Sequence, residues 1–147
     1  DFLVEGRGLT SGLMVAQYTA ASLVSENKVL CHPGSCDSIS VSADQEDHVS
    51  MGPVSIRKFN EILKNVANVI GIEMMCAAQA FDFRLPQKPG KGTGIAYDVI
   101  RKYVTRLDDD RVLYPDVIKC GELVWSGEIL DAVEAEMGEI DISLNHR

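Results

Sequence analysis

Pro53-Val54-Ser55-Ile56-Arg57-Lys58-Phe59-Asn60-Glu61-Ile62-Leu63-Lys64-Asn65-Val66-Ala67-Asn68-Val69-Ile70-Gly71-Ile72-Glu73-Met74-Met75-Cys76-Ala77-Ala78-Gln79-Ala80-Phe81-Asp82-Phe83-Arg84-Leu85 is followed directly by Pro86. Within it Phe59, Ile62, Leu63, Val66, Val69, Ile70, Met74, Ala77, Ala78, Phe81 and Leu85 recur at helical spacing. Pro53 suits a first helical position, and Pro86 stops the helix because it has no N–H to give and clashes with the preceding turn. A helix over 53–85 would run about 50 Å at 1.5 Å per residue. That exceeds the span of an isolated domain of 147 residues, so much of its apolar face must pack on other parts of a longer chain or on other subunits. The lone Gly71 marks either a weak spot or a point of close contact. Met74, Met75 and Cys76 read as core filler.

The segments on either side are helical too. Residues 10–27 carry Leu13, Met14, Val15, Ala16, Ala20, Ala21, Leu23 and Val24 on nearly every face, with Thr10 or Ser11 placed to cap the start. This predicts a helix buried all round. Beyond Pro86, Lys88-Pro89-Gly90-Lys91-Gly92-Thr93-Gly94 has the composition of a phosphate loop but not the P-loop spacing, and no hydrophobic strand precedes it. It reads as a flexible linker with Thr93 as an N-cap. Ala96, Val99, Ile100, Tyr103, Val104 and Leu107 make the next stripe, ended by Asp108, Asp109 and Asp110. Pro115 opens a short helix, and Ser126 with Glu128 begins a last one that runs to Gly138. No strand signal survives. The expected fold is all-α, a single helical region over 1–147 of long, roughly antiparallel helices forming part of an oligomeric bundle.

Composition narrows the function. A hydrophobic content of 46% is ordinary for a globular protein, and no run reaches the roughly 18 apolar residues a membrane helix needs. Net charge is −8. From residue 107 onward there are eleven acids against three bases, while residues 1–106 balance at eleven of each. An acidic face repels phosphates, so no nucleic acid partner is expected. Cys31, Cys36, Cys76 and Cys120 show no regular spacing and suggest free thiols in the cytoplasm. The start, Asp1-Phe2-Leu3-Val4-Glu5, has neither an initiator Met nor a signal peptide and reads as the middle of something.

Residues 29–52 form a long loop rich in Pro33, Gly34, Ser38, Ser40 and Ser42, and a structureless stretch of that length calls for a functional reason. Within it Asp44-Gln45-Glu46-Asp47-His48 crowds three carboxylates, an amide and an imidazole together. The bland reading is a polar loop capping the next helix. Cys31, His32, Cys36 and His48 are zinc-ligand types, but they lack the paired short spacings of structural sites, and no metal is expected. Asp47, His48 and Ser50 are triad residue types, but a triad is normally assembled from distant segments.

The run 12–28, His32-Pro33, Asp37-Ser38, Gln45-Glu46-Asp47-His48, Gly90-Lys91-Gly92-Thr93-Gly94 and Val112-Leu113-Tyr114-Pro115-Asp116, in that order, closely resemble the histidine ammonia-lyases of the aromatic amino acid lyase family. The resemblance covers roughly residues 9–139 and only the C-terminal part of the family's usual polypeptide. It implies elimination of ammonia from L-histidine to give trans-urocanate, in histidine catabolism, by a cytoplasmic homotetramer. It also implies an electrophilic methylidene-imidazolone made from an internal Ala-Ser-Gly. No Ala-Ser-Gly occurs here, so the resemblance implies a fragment, inactive alone, completed by the rest of the lyase chain and other subunits.

Glu46 matches the family's active-site glutamate, acting either as the base for the β-proton or as the partner of the substrate imidazole. Relatives acting on phenylalanine or tyrosine generally have glutamine there, so Glu46 favours histidine. Gln45 and Asp44 are carried along as substrate-binding candidates. Asp44 stands where many relatives have asparagine. A glutamate buried near Asp44 and Asp47 would have a raised pKa, which would help it take up a proton near neutral pH. Two alternatives stand beside this reading: a non-catalytic helical association module, and a related aromatic amino acid lyase or aminomutase. A fumarase-type eliminase lacks its glycine-serine-rich Met-Pro-x-Lys signature here.

Overall fold

A computed structural model of the chain describes residues 2–5 and 8–140. The described residues form five α-helices: α1 (Met14–Leu30), α2 (Gly52–Asp82), α3 (Lys91–Tyr103), α4 (Tyr114–Ser126) and α5 (Glu128–Met137). Among them the only β-type pairing is an isolated bridge between Val41 and Glu46. The all-α expectation holds.

α2 is the axis. Its 31 residues extend about 46 Å at 1.5 Å per residue. Pro53 stands in its first turn as expected, but the helix closes at Asp82 rather than Leu85. The Arg84 N–H turns back to the Phe81 carbonyl at 2.8 Å, and Pro86 disfavours helical geometry at Leu85.

α1 and α4 run antiparallel to α2, and α5 runs antiparallel to α3. Asn65 meets Asn27, and Gln79 at the far end of α2 meets Leu3, so α1 and the segment before it descend α2. α4 packs on the other side, where Gly71 meets Cys120. α3 turns back along the end of α2 and carries α5, with Lys91 near Glu136 and Tyr103 bonded to Glu128. Leu13, Ala16, Ile72, Met75, Ala78, Ile100, Val104, Leu107, Val117, Cys120, Leu123 and Ile129 make one continuous core.

Three local expectations are corrected. α1 starts at Met14, not at Thr10 or Ser11, and no side chain caps it; the turn just before it is tied far along the chain, where both oxygens of Asp110 accept from the Ser11 and Gly12 N–H groups, at 2.8 Å each. Thr10 Oγ1 instead donates to the Glu5 carbonyl at 3.3 Å. α1 is also not buried all round within this chain. Of its residues only Ala16 is buried, while Tyr18 is 70% exposed. α3 begins at Lys91, so Thr93 lies inside it and donates to the Gly90 carbonyl at 3.0 Å. It ends at Tyr103 because Val104 is extended, which leaves Leu107 in the following turn rather than on the helix.

Candidate functional site

The loop of residues 31–51 is anchored at its root before it projects. Lys58 Nζ on α2 donates to the His32 carbonyl. Gly34 lies against the first turn of α2, where an added Cβ would stand 2.8 Å from Ser55 Oγ. Cys36 Sγ is 3.3 Å from His32 Nε2. Among the described residues no group of three or more His, Cys, Asp or Glu side chains is arranged to hold a metal ion.

Beyond the root the chain makes a tight reversal. The Val41 N–H donates to the Glu46 carbonyl at 2.9 Å and the Glu46 N–H donates to the Val41 carbonyl at 3.2 Å. Ser42, Ala43 and Asp44 turn the corner with φ of 55°, 52° and 63°, left-handed backbone that residues with a Cβ seldom adopt in succession. Gln45 N–H closes the turn onto the Ser42 carbonyl at 3.1 Å. Side chains brace it: Ser40 Oγ is 3.1 Å from Asp44 Oδ1 and 3.0 Å from Asp47 Oδ1, and Ser38 Oγ donates to the Asp47 carbonyl.

Asp44, Gln45 and Glu46 therefore share one hairpin tip. All three are exposed within these residues. These residues by themselves supply no low-dielectric wall around the carboxylate. Beside the hairpin, between the loop and the start of α2, lies an open cleft of about 470 Å³ lined in part by Asp37, Ser38, His48, Ser50 and Ser55. Of the triad residue types Asp47, His48 and Ser50, the Asp47 carboxylate lies 3.0 Å from the Ser40 hydroxyl.

A second polar cluster was not anticipated from the sequence. Gln79, 1% exposed, donates through Nε2 to the Leu107 carbonyl at 2.8 Å and the Leu3 carbonyl at 2.9 Å, while its Oε1 accepts from the Leu107 N–H at 3.0 Å. Asp82 pairs with Arg101 Nη2 at 2.5 Å and accepts from the Tyr97 hydroxyl at 2.6 Å. That hydrogen bond to Asp82, with burial and the carboxylate's charge adding, pushes the Tyr97 phenol above its ordinary pKa, against an opposing pull from Arg101. The available signal was two polar residues three apart, Gln79 and Asp82, on an otherwise apolar stripe. The cluster joins α2, α3 and both flanking turns, and only the Tyr97 ring reaches a cleft, an apolar one of about 210 Å³ shared with Met74, Phe81 and Ile100. It is architecture.

The sequence and its helical scaffold are matched by known proteins. Residues 1–102 match the sequence model of the aromatic amino acid lyases, and the chain belongs to that family. It is 57% identical over 133 residues to histidine ammonia-lyase of Alkaliphilus oremlandii (strain OhILAs), covering 90% of this chain and 26% of the relative. It is 53% identical over 140 residues to histidine ammonia-lyase of Symbiobacterium thermophilum, covering 95% and 28%. Among solved structures, histidine ammonia-lyase from Trypanosoma cruzi superposes with a TM-score of 0.86 at 43% identity over 91% of this chain and 26% of that one. Tyrosine aminomutase from Streptomyces globisporus superposes at 0.87 with 33% identity, over 94% and 26%. The chain thus spans about a quarter of the length of these relatives.

Proposed function

We propose that these 147 residues are the C-terminal part of a histidine ammonia-lyase and that Glu46 is its contribution to the active site. The observation that carries the reading is the braced hairpin that presents Gln45 and Glu46 together at its tip, in a chain whose relatives at 53–57% identity are histidine ammonia-lyases. The aminomutase structures resemble this chain equally well in shape, with a TM-score of 0.87, but at 33% identity against 43% for the trypanosomal histidine ammonia-lyase. Identity favours histidine, and so does the carboxylate.

The chemistry asked of the hairpin is proton handling. The β-hydrogen of histidine is barely acidic, so a base must be held beside it, and a carboxylate at the same place can instead meet the imidazole. An exposed Glu46 does neither in isolation; walls from the remaining lyase chain and from neighbouring subunits of a cytoplasmic homotetramer would remove it from water. The methylidene-imidazolone that supplies the electrophile in this family does not fit these residues. They contain no Ala-Ser-Gly, and the Ala21-Ser22-Leu23 string is inside α1. Its precursor belongs to the portion of the lyase outside them. No helix of the described residues is long and apolar enough to cross a membrane.

The test is Glu46→Gln in the full-length enzyme, which keeps shape and removes basicity. Loss of a general base costs about a hundred- to ten-thousand-fold. The loss falls on kcat if Glu46 takes the β-proton and on KM if it anchors the imidazole. Asp47→Asn is the local control. Near-normal kinetics for Glu46→Gln beside a more damaging Asp47→Asn would return the acidic loop to a helix cap.

A further inference from the structure

We infer that Ser40 is a positioning residue for Glu46, a role that rests on the active-site reading of Glu46 given above. The hydroxyl of Ser40 lies 3.1 Å from Asp44 Oδ1 and 3.0 Å from Asp47 Oδ1. Those carboxylates belong to the residues two before and one after Glu46, so a single side chain spans the position that must be aimed. A serine hydroxyl has one proton and donates to one carboxylate at a time. Its acceptors are two like charges that converge on the same oxygen, and without the donor nothing in the hairpin offsets their repulsion.

The backbone makes that brace consequential. The reversal at Ser42, Ala43 and Asp44 is left-handed at three successive residues that carry a Cβ, and such conformations persist only where surrounding contacts over-determine them. Two backbone hydrogen bonds between Val41 and Glu46 fix where Glu46 starts. The Ser38 hydroxyl holds the Asp47 carbonyl just beyond it. Ser40 is the one side chain that ties the strained corner, through Asp44, to the residue following Glu46, through Asp47. It touches no reacting atom in this arrangement; it acts by keeping the Glu46 carboxylate at one place and angle.

The experiment uses the full-length lyase with L-histidine as substrate and compares Ser40→Ala, Ser40→Thr, Ser40→Val, Glu46→Gln and the double variant Ser40→Ala/Glu46→Gln. A displacement on the order of 1 Å at a reacting group costs up to about a hundredfold, so Ser40→Ala is expected to lower kcat/KM about ten- to a hundredfold, through the same parameter that Glu46→Gln moves and with the melting temperature little changed. Ser40→Thr keeps the hydroxyl and recovers turnover, whereas its isostere Ser40→Val does not; that pair carries the comparison even if the alanine variant fails to assemble. Because Ser40 acts through Glu46, adding Ser40→Ala to Glu46→Gln costs nothing more. Normal turnover in Ser40→Ala or in Ser40→Val overturns the proposal. So does a loss in the double variant equal to the product of the single losses, the mark of a purely structural role. Normal turnover in Glu46→Gln overturns the reading of Glu46 itself, whereas a damaged Glu46→Gln beside a normal Ser40→Ala overturns only the part given to Ser40.

Discussion

Gly71 on α2 faces the Cys120 peptide of α4 so closely that a Cβ on Gly71 would lie 2.7 Å from the Cys120 carbonyl carbon and 3.0 Å from its oxygen. Real Cβ atoms essentially never approach backbone that nearly, so the two helices pack at a distance only glycine permits. Gly71→Ala is expected to destabilise the protein despite alanine's better helix propensity. Overpacking costs about 1–3 kcal/mol and the propensity gain returns about 1, leaving a net loss of up to about 2 kcal/mol. Gly121→Ala, whose close contacts are with the movable end of the Asn68 side chain while the Asn68 Cα stays at an ordinary 3.5 Å, should cost less. Thermal unfolding of the two variants checks the order, and an equal or reversed order contradicts the close-packing account.

Asp82→Asn should damage stability more than its size suggests. Arg101 is largely buried, and Asp82 is its charged partner at 2.5 Å. Breaking a buried pair by neutralising one side leaves an uncompensated charge and costs roughly 3–5 kcal/mol. The expected readout is a lower denaturation midpoint with an unchanged helix signal at low temperature. Gln79→Leu should show a comparable drop, because it strands the Leu107 N–H and carbonyl together, at about 1–3 kcal/mol for each unmet group.

The four thiols divide by burial. Cys31 and Cys36 are exposed, whereas Cys120 is buried and its thiol is pushed up from 9.0 to about 11, first by burial and then by the charge of Asp116. Cys76 is raised by burial and by Glu73. In the isolated chain at pH 8, a thiol reagent should modify two cysteines quickly and the other two only on unfolding. Between pH 9 and about 11 the unfolded chain gives up the Cys120 proton while the folded chain keeps it, so stability should fall as pH rises through that window. An unfolding free energy flat across that range, in a variant lacking the other cysteines, contradicts this.

Val15, Tyr18, Val29, Phe59 and Trp125 are each more than half exposed, on α1, α2 and α4. A chain presenting so much apolar helix surface should self-associate when isolated. Solution scattering and thermal melts on the 147-residue chain test this, and a compact monomer with a cooperative transition would show that the helices find enough partners among themselves. The same preparation should not convert L-histidine to urocanate.

Local periodicity made the helices legible. The stripe from Phe59 to Phe81, bounded by prolines, marks α2 because a 3.6-residue repeat and a missing N–H are properties of neighbouring residues alone. Pro115 and Gly138 mark the start of α4 and the end of α5 for the same reason. The Gln45-Glu46 pair was equally readable, as a string of residue types. What the sequence left open were relations across distance. Gly71 could be a defect or a contact until α4 was laid against it. Thr10 and Ser11 read as candidate caps of α1, but the turn they belong to is held instead by Asp110, about a hundred positions away, which accepts from the Ser11 and Gly12 N–H groups. Gln79 sits on an apolar stripe and reads as an interruption until the Leu107 peptide is brought to it. The exposure of Glu46 is of the same kind: crowding of charge is written in the chain, but burial depends on which surfaces arrive, and within these residues none does.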